Sequence, residues 1–421
     1  MDKELFIRHR RDFLQRMDDH TFALFFSGEA PHRTTDEYYP YFPNRNFFYL
    51  TGLERPNFAL CLLKNEGIGL EFLFIEEATD YSEKWLGHRL TKEEASALSG
   101  FPVSAIQFVQ NLEAFVSSAV LSNSRKALMK MPKKLYLDLY RHQSGIRPVA
   151  LGKARFITES YPEIDLANAN EILDLLRMVK APEETARMKK AVGYAKIGLE
   201  AVWKEARPGL NEHALEALFE YKIKVAGSEG LSFDTIMASG VNATTLHYKE
   251  NKCVIGENDL VLADLGCLDG PYASDITRTF PATGHFTPRQ KELYQLVLDV
   301  NKQCIDFVKP GITWNELNSL SKKLLAEGAV KLGVIKDVSE VEKVYYHTVS
   351  HYLGLDVHDV GTYQVPFREG LVLTIEPGIY VAAEKIGIRI EDNILVTKDG
   401  HENLSSGILK EIADIEKFMN R

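Results

Sequence analysis

Four acidic residues stand at the ends of strongly apolar runs or among strand-forming residues. Asp264 ends the run LVLA, Glu376 the run LVLTI and Glu391 the run IGIRI, while Asp275 lies in SDITRT. A carboxylate is rarely buried without a partner that compensates its charge. One such residue would indicate a salt bridge at the end of a strand. Four together favour a shared function.

Carboxylates that share one space repel each other and raise each other's pKa values unless cations neutralise them. One divalent ion would leave two negative charges, whereas two ions balance all four. Oxygen ligands with one imidazole favour magnesium, manganese, cobalt or iron over a thiolate zinc site. Two ions roughly 3.5 to 4 Å apart could share a hydroxide nucleophile and polarise a carbonyl. The residues therefore predict metal-assisted hydrolysis.

Histidines supply the neutral ligand and the proton-handling groups that such a site needs. His347, His351 and His358 lie in YYHTVSHYLGLDVHDVG, and His247 precedes the Asp264 segment in ATTLHYKEN. A single histidine in either segment would more often be structural. The cluster gains weight from its place between the acidic segments.

The elements that position these residues fall into two parts. At 421 residues the chain exceeds the size of about 250 to 300 residues at which one core stops growing. The patterns of residues 1–172 predict a mixed α/β domain. It would contain a helix over Glu4–Met17, helices near 92–98 and 112–119, a hairpin at KNEGIG, and the strand-like runs FALFFSG, NFFYLTG, FALCLLK and LEFLFIEE. A helix opened by Pro182 begins the second domain, 173–421.

The second part contains a weak internal repeat. One helical pattern stops at Pro208-Gly209 and another at Pro310-Gly311, and a second helix follows each. Strands come after each helix pair, and we expect the acidic residues to lie inside them. A duplication would place a site between two similar halves, although helix-Pro-Gly-helix junctions also arise by coincidence.

Composition limits the partners. The formal net charge of −9 opposes binding to nucleic acid or an anionic membrane, and a peptide-like substrate fits better. The sequence shows no apolar run long enough for a signal or a membrane span. The four cysteines lack C-x-x-C spacing, which is typical of reduced thiols. We therefore expect a cytoplasmic protein without nucleic-acid or membrane partners.

Five motifs occur in a characteristic order: LHYKEN, LVLADLGCLDGPYASDITRTFP, SHYLGLDVHDVG, LTIEPGIY and GIRIEDN. In this order they resemble the proline-specific metallopeptidases called aminopeptidase P or Xaa-Pro aminopeptidases. The segments RTTDEYYPYFPNRNFFYLTGLERPNFAL, KWLGHRL and LLRMVKAPEE extend the resemblance to the first half. It implies an α+β fold, in which a small mixed α/β N-terminal domain precedes a C-terminal pita-bread catalytic domain of the creatinase and aminopeptidase type with a pseudo-twofold repeat.

The resemblance also implies an activity, which is removal of the first residue of a peptide when proline is second, by attack of a hydroxide that bridges two divalent ions. Manganese is the expected metal, with cobalt, iron or zinc as alternatives. Asp264 would be a terminal ligand of one ion, and Asp275 and Glu391 would bridge both. His351 and Glu376 would bind the other ion.

Substrate roles follow from the same resemblance. His247 and His358 would hydrogen-bond the scissile carbonyl or the developing oxyanion, next to the metal ligand His351. Glu376 would pass the proton of the attacking water to the proline nitrogen. Arg389, with Tyr380 nearby, would orient the carboxylates.

We expect the protein to form a homodimer or a homotetramer. The segment around Trp85 can reach a neighbouring subunit's cleft in the family, and a core tryptophan is the alternative reading. Short loops around 362–375 and after Tyr380 leave open whether Arg368 binds substrate, and His347 could be structural.

Three other functions compete with this interpretation. A prolidase would use the same fold and ligands on Xaa-Pro dipeptides. A catalytically silent pita-bread domain would bind peptides or histones, but such domains lose ligand positions that this chain keeps. A metal-free creatinase-like amidinohydrolase would leave the acidic residues without a compensating charge.

Overall fold

The computed structural model describes residues 2–125, 127–141 and 143–420. The chain divides into two compact units, Met1–Arg177 and Met178–Arg421, and each unit has its own apolar core. Within the described ranges, none of the helices combines the length and the apolar character that a membrane crossing requires.

The first unit is a mixed sheet with short helices. Its strands are β1 (Thr21–Phe26), β2 (His32–Thr34), β3 (Glu37–Tyr38), β4 (Ala59–Asn65), β5 (Ile68–Ile75), β6 (Ile106–Phe108), β7 (Lys134–Leu137) and β8 (Asp165–Asn168). Its helices are α1 (Lys3–Arg16), α2 (Arg45–Thr51), α3 (Asp80–Leu86), α4 (Lys92–Ser99), α5 (Leu112–Phe115), α6 (Val149–Lys153), α7 (Arg155–Thr158) and α8 (Asn170–Arg177). The six-stranded sheet has the order β6-β5-β4-β1-β7-β8. The pairs β1–β4 and β4–β5 are antiparallel, and the others are parallel.

One predicted strand is a helix. The run NFFYLTG was predicted as a strand, but it forms α2, so that prediction is wrong. Asn44 caps the helix by accepting a hydrogen bond from the Phe47 N–H, and Gly52 ends it in the left-handed conformation. Because every residue of α2 after Arg45 is buried, its apolar run carries no periodicity that separates a helix from a strand.

The second unit consists of long helices and short antiparallel strands. Its helices are α9 (Pro182–Glu205), α10 (Glu212–Ala226), α11 (Pro288–Phe307), α12 (Trp314–Lys331) and α13 (Ile412–Met419). Its strands are β9 (Gly230–Leu231), β10 (Ile236–Ser239), β11 (Leu260–Leu265), β12 (Cys267–Asp269), β13 (Tyr272–Ala273), β14 (Ile276–Pro281), β15 (Val372–Ile375), β16 (Gly378–Val381), β17 (Ile386–Arg389), β18 (Asp392–Val396) and β19 (His401–Asn403).

The predicted repeat has a structural counterpart. A helix pair, α9–α10 and then α11–α12, precedes a three-stranded antiparallel sheet in each half, with the orders β10-β11-β14 and β15-β18-β19. Gly209 and Gly311, at the two junctions, both have positive φ angles, 84° and 94°. Glycine adopts this conformation without a steric penalty, which explains the Pro-Gly signature. The second helices begin at the capping residues Asn211 and Thr313.

Candidate metal centre

The acidic residues lie at strand breaks rather than inside strands, with one exception. Asp264 is within β11, but Asp275, Glu376 and Glu391 occupy short gaps before β14, β16 and β18. The prediction that all four lie inside strands is therefore wrong for three of them. Pro377 follows Glu376 and cannot donate a ladder hydrogen bond. The Glu391 N–H donates to the carbonyl of Thr277 at 3.0 Å, outside its own hairpin.

These breaks bring the predicted metal ligands together. One possible ligand atom from each of Asp275, His351 and Glu391 lies within 4.8 Å of the others. His351 Nε2 is 3.4 Å from Asp275 Oδ2 and also 3.4 Å from Glu376 Oε1. Asp264 joins the cluster because β11 and β14 place it opposite Thr277.

The orientation of the His351 ring suits a metal ligand. Its Nδ1 is 2.9 Å from the carbonyl oxygen of Tyr352, an acceptor only, so Nδ1 carries the proton and donates it there. Nε2 is then the lone-pair nitrogen, and it faces the two carboxylates. Metal-binding histidines are commonly oriented by such a bond from the other ring nitrogen.

Arg389 and Thr277 orient the carboxylates. Arg389 Nη2 donates to Asp264 Oδ2 at 2.6 Å, and Arg389 Nε donates to Thr277 Oγ1 at 3.1 Å. The Thr277 hydroxyl in turn donates to Glu391 Oε2 at 2.6 Å. Asp264 and Glu391 thus each have one oxygen held by a protein donor. Thr277 was part of a quoted motif, but its role was missed, although its position opposite Asp264 in the hairpin could have indicated it.

The remaining oxygens fit a cation. Asp264 Oδ1 and Glu391 Oε1 are buried and accept no hydrogen bond within the described part of the chain. Burial, and then the charges of neighbouring carboxylates, raise the pKa values of Asp275 and Glu391 well above their usual range. Burial also raises the pKa of Glu376, although the adjacent His351 and the Arg389 guanidinium act in the opposite direction. Buried, acceptor-only oxygens around one imidazole are the donor set that divalent ions prefer.

Two further histidines adjoin the cluster. Burial lowers the pKa of His358 to about 4, and the neighbouring His351 and His247 reinforce the shift. Burial and the Arg389 charge likewise lower the pKa of His347 to about 4. His347 Nδ1 donates to the Thr348 carbonyl, so its Nε2 accepts from the Tyr380 hydroxyl at 2.8 Å. Both imidazoles are therefore neutral near pH 7.

The cluster opens into a cavity of about 460 Å³. The five predicted ligands line it together with His247, His347, His358 and Arg389, and its apolar wall is formed by Phe233, Ile236, Leu246, Val357 and Tyr363. Residue types alone gave no signal for this wall, because its members come from separate segments. The cavity combines apolar surface with convergent polar groups, as a small-peptide site requires.

Tyr380 and Trp85 complete the predicted set. The Tyr380 hydroxyl accepts a hydrogen bond from Arg389 Nη1 at 2.9 Å, so Tyr380 links Arg389 to His347. Trp85 lies on α3 of the first unit, where its side chain is 73% exposed. The alternative reading of Trp85 as a core residue is therefore wrong.

Comparisons with known proteins agree with this site. The family model for metallopeptidase family M24 matches residues 186–398, and the model for the aminopeptidase P N-terminal domain matches residues 6–129. The chain belongs to metallopeptidase family M24. All the residues of the carboxylate and histidine cluster lie within the matched range.

Full-length relatives narrow the assignment. The chain is 32% identical to the Xaa-Pro aminopeptidase of Escherichia coli (strain K12), over 100% of this chain and 98% of the relative. It is 31% identical to human Xaa-Pro aminopeptidase 3, over 95% of this chain and 81% of the relative. The predicted resemblance to Xaa-Pro aminopeptidases is confirmed, and the protein is a metallo-aminopeptidase with a divalent metal cofactor and a peptide substrate.

Solved structures show the same architecture. A Bacillus anthracis structure superposes with a TM-score of 0.95 at 42% identity and covers 100% of this chain and 99% of that one. Aminopeptidase P from E. coli with the inhibitor Pro-Leu superposes with a TM-score of 0.88 at 30% identity, covering 100% and 98%. The predicted fold, a mixed N-terminal domain followed by a pita-bread domain, is confirmed.

Proposed function

We propose that this metallo-aminopeptidase hydrolyses the first peptide bond of substrates that carry proline in the second position, and that it uses two divalent ions, with manganese as the native metal. The observation that carries the proposal is the convergence of Asp264, Asp275, His351, Glu376 and Glu391 in one cavity. With the Arg389 guanidinium on Asp264, the four carboxylates leave a net charge of −3, so one divalent ion would still leave a buried negative charge, whereas two ions and a bound hydroxide bring the sum to zero.

The ligand assignment rests on the resemblance to Xaa-Pro aminopeptidases, and the contacts within the cluster support it. Asp264, oriented by Arg389, would be a terminal ligand of one ion. Asp275 and Glu391 would bridge both ions, and His351 and Glu376 would complete the other. Two bound ions would activate the attacking water and polarise the scissile carbonyl.

The neighbouring side chains supply the remaining chemistry. His358 is neutral near pH 7, so its ring can donate one hydrogen bond to the carbonyl oxygen, and His247 faces the same cavity. Glu376 accepts a proton and returns it to the proline nitrogen, which must be protonated to leave. Proline lacks an amide N–H, so its side of the cavity needs no acceptor, and the apolar wall suits the ring.

Peptide hydrolysis tests the specificity. The metal-loaded protein should cleave an Xaa-Pro-Yaa tripeptide and should leave the matched Xaa-Ala-Yaa tripeptide intact. The runner-up, a prolidase, would cleave only the Xaa-Pro dipeptide. Activity confined to that dipeptide would overturn the aminopeptidase proposal.

Elemental analysis after manganese reconstitution tests the metal centre. We expect two ions per chain in the wild type and fewer in Asp275→Asn, because an amide cannot bridge two cations as a carboxylate does. The same measurement with cobalt, iron and zinc, combined with activity, would identify the preferred metal. A wild-type chain that binds one ion at saturation would refute the two-ion proposal.

Three wider assignments accompany this function. We assign residues 1–172 to an aminopeptidase P-type domain and residues 173–421 to the catalytic domain. A homodimer or homotetramer is supported by the exposed aromatic rings of Trp85 and Tyr81, which lie 5.8 Å apart on α3, because exposed aromatic side chains are typical of protein interfaces. Light scattering would measure the mass of the assembly. A cytoplasmic location is supported by the four cysteines, all free thiols.

A further inference from the structure

The Glu212 carboxylate is the centre of a buried hydrogen-bond network that the metal centre does not use. Glu212 is the first residue of α10, and its exposure is 0%. Its Oε1 accepts from Ser239 N (2.7 Å), Ser239 Oγ (2.6 Å) and Asn242 Nδ2 (3.0 Å). Its Oε2 accepts from the Tyr248 hydroxyl (2.8 Å) and from Cys253 N (2.9 Å). One carboxylate therefore ties the end of β10 to residue 253.

The donors compensate a charge that would otherwise be costly to bury. A carboxylate without water is stable only when its lone pairs are filled by well-placed donors, and charge-assisted hydrogen bonds are the strong ones. Moving either end of the segment would take a donor away from a buried charge. The network therefore resists displacement of the backbone at Ser239 and at Cys253.

The segment between these ends, which we call the His247 loop (residues 240–253), reaches the cavity. His247 lines the cavity, and the next residue, Tyr248, is bonded to Glu212. On the other side, Leu246 packs against the small apolar cluster that contains Ile236. His247 thus lies between Tyr248, which is hydrogen-bonded to Glu212, and Leu246, which packs in the apolar cluster.

We propose that Glu212 is a positioning residue that holds His247 against the substrate by fixing both ends of the His247 loop. The inference rests on the proposed function, in which His247 hydrogen-bonds the scissile carbonyl. Glu212 itself is not among the described residues that line the cavity. Its effect on the reaction therefore passes through the loop.

A double-mutant cycle tests this coupling. Glu212→Gln exchanges one acceptor oxygen for an amide that cannot accept from the Cys253 N–H or the Ser239 N–H. A displacement of a catalytic group by about 1 Å can lower the reaction rate by a factor of about 100. We therefore expect kcat/KM for an Xaa-Pro-Yaa tripeptide to fall by about 10- to 100-fold in Glu212→Gln. In the His247→Ala background the same substitution should change kcat/KM by less than about twofold, because the positioned group is gone.

Two controls separate positioning from a general structural role. Glu220→Gln makes the same charge change at an exposed position of α10 and should leave kcat/KM unchanged. The metal content of Glu212→Gln should equal that of the wild type, because Glu212 contacts no predicted ligand. If Glu212→Gln does not fold, Tyr248→Phe removes a single donor, and the same comparison with and without His247 decides the question.

The outcomes are distinct. Equal factors in the wild-type and His247→Ala backgrounds would show that Glu212 acts independently of His247 and would overturn the positioning role. Loss of bound metal in Glu212→Gln would also overturn it. Failure of the proposed function gives another result, because the wild type would then not cleave the tripeptide, or His247→Ala would be as active as the wild type.

Discussion

The pair formed by Lys180 and Asp359 permits a quantitative prediction about the loop that carries His358. Lys180 Nζ lies 3.0 Å from Asp359 Oδ2, and both side chains are only 1% exposed. The Asp359 N–H donates to the Tyr352 carbonyl at 2.9 Å, so the pair fixes the loop between the metal-centre residue His351 and His358. We predict that Lys180→Met, which keeps the length but removes the charge, strongly destabilises the second unit.

The geometry sets the magnitude. At an effective dielectric constant of about 20, two unit charges separated by 3.0 Å attract each other by about 5.5 kcal/mol. Removal of one partner from a buried pair costs about 3 to 5 kcal/mol, because the other charge stays in a poorly solvated place. The double variant Lys180→Met/Asp359→Asn should be less destabilised than the sum of its single variants, since both charges are then gone.

Tryptophan emission during urea unfolding measures this effect. Trp203 and Trp314 are buried in the second unit, at 1% and 7% exposure, and Trp85 lies in the first. A Trp85→Phe background therefore reports on the second unit. Lys322→Met is the matched control.

The control removes a cation from a surface pair. Lys322 Nζ lies 2.6 Å from Glu342 Oε1, but the two side chains are 46% and 74% exposed. Because water and salt screen such an exposed pair, the expected cost is much smaller than that of Lys180→Met. The reasoning would be refuted if Lys180→Met and Lys322→Met lowered the unfolding free energy by the same amount.

Three further predictions concern single residues. Thr277→Val removes the donor to Glu391 and should weaken metal affinity by about 10- to 100-fold, measured by calorimetry. Thr277→Ser, which keeps the hydroxyl, is the control. Equal affinity in the wild type, Thr277→Val and Thr277→Ser would contradict the role of the hydroxyl. Burial raises the pKa of Glu184 from 4.5 to about 7, so the stability that its protonated form contributes is complete below about pH 4.5 and is lost as the pH rises to about 7. The melting temperature of Glu184→Gln minus that of the wild type should therefore rise across this window. A difference that falls with rising pH would contradict the raised pKa. Gly354→Ala would bring a Cβ into steric conflict with Asp359 Oδ2 and should cost about 1 to 3 kcal/mol in urea unfolding. Gly400→Ala, which meets no described atom within 4 Å, should cost much less.

Local sequence accounts for much of this protein. Helix ends such as Pro182 and Thr313 were predictable, because capping depends on residues within one turn. The hairpin at KNEGIG was predictable from local residues as well, because Asn and Gly favour tight turns. In the structure its turn residues, Glu66 and Gly67, both have positive φ angles. The chemical types of the metal ligands also follow from the sequence, because acidic residues beside apolar runs conflict with burial unless a cation is present.

Contacts between distant segments decided the rest. The helix α2 has the composition of a buried strand, and only its packing inside the first unit distinguishes the two. Thr277 reaches Glu391 across 114 positions of the chain, and Arg389 reaches Asp264 across 125. Glu212 holds the His247 loop from another element. No local pattern encodes such pairings, because they depend on which strands and helices pack together. The sequence by itself therefore determined which residues could bind metal, and the tertiary structure decided how each is held.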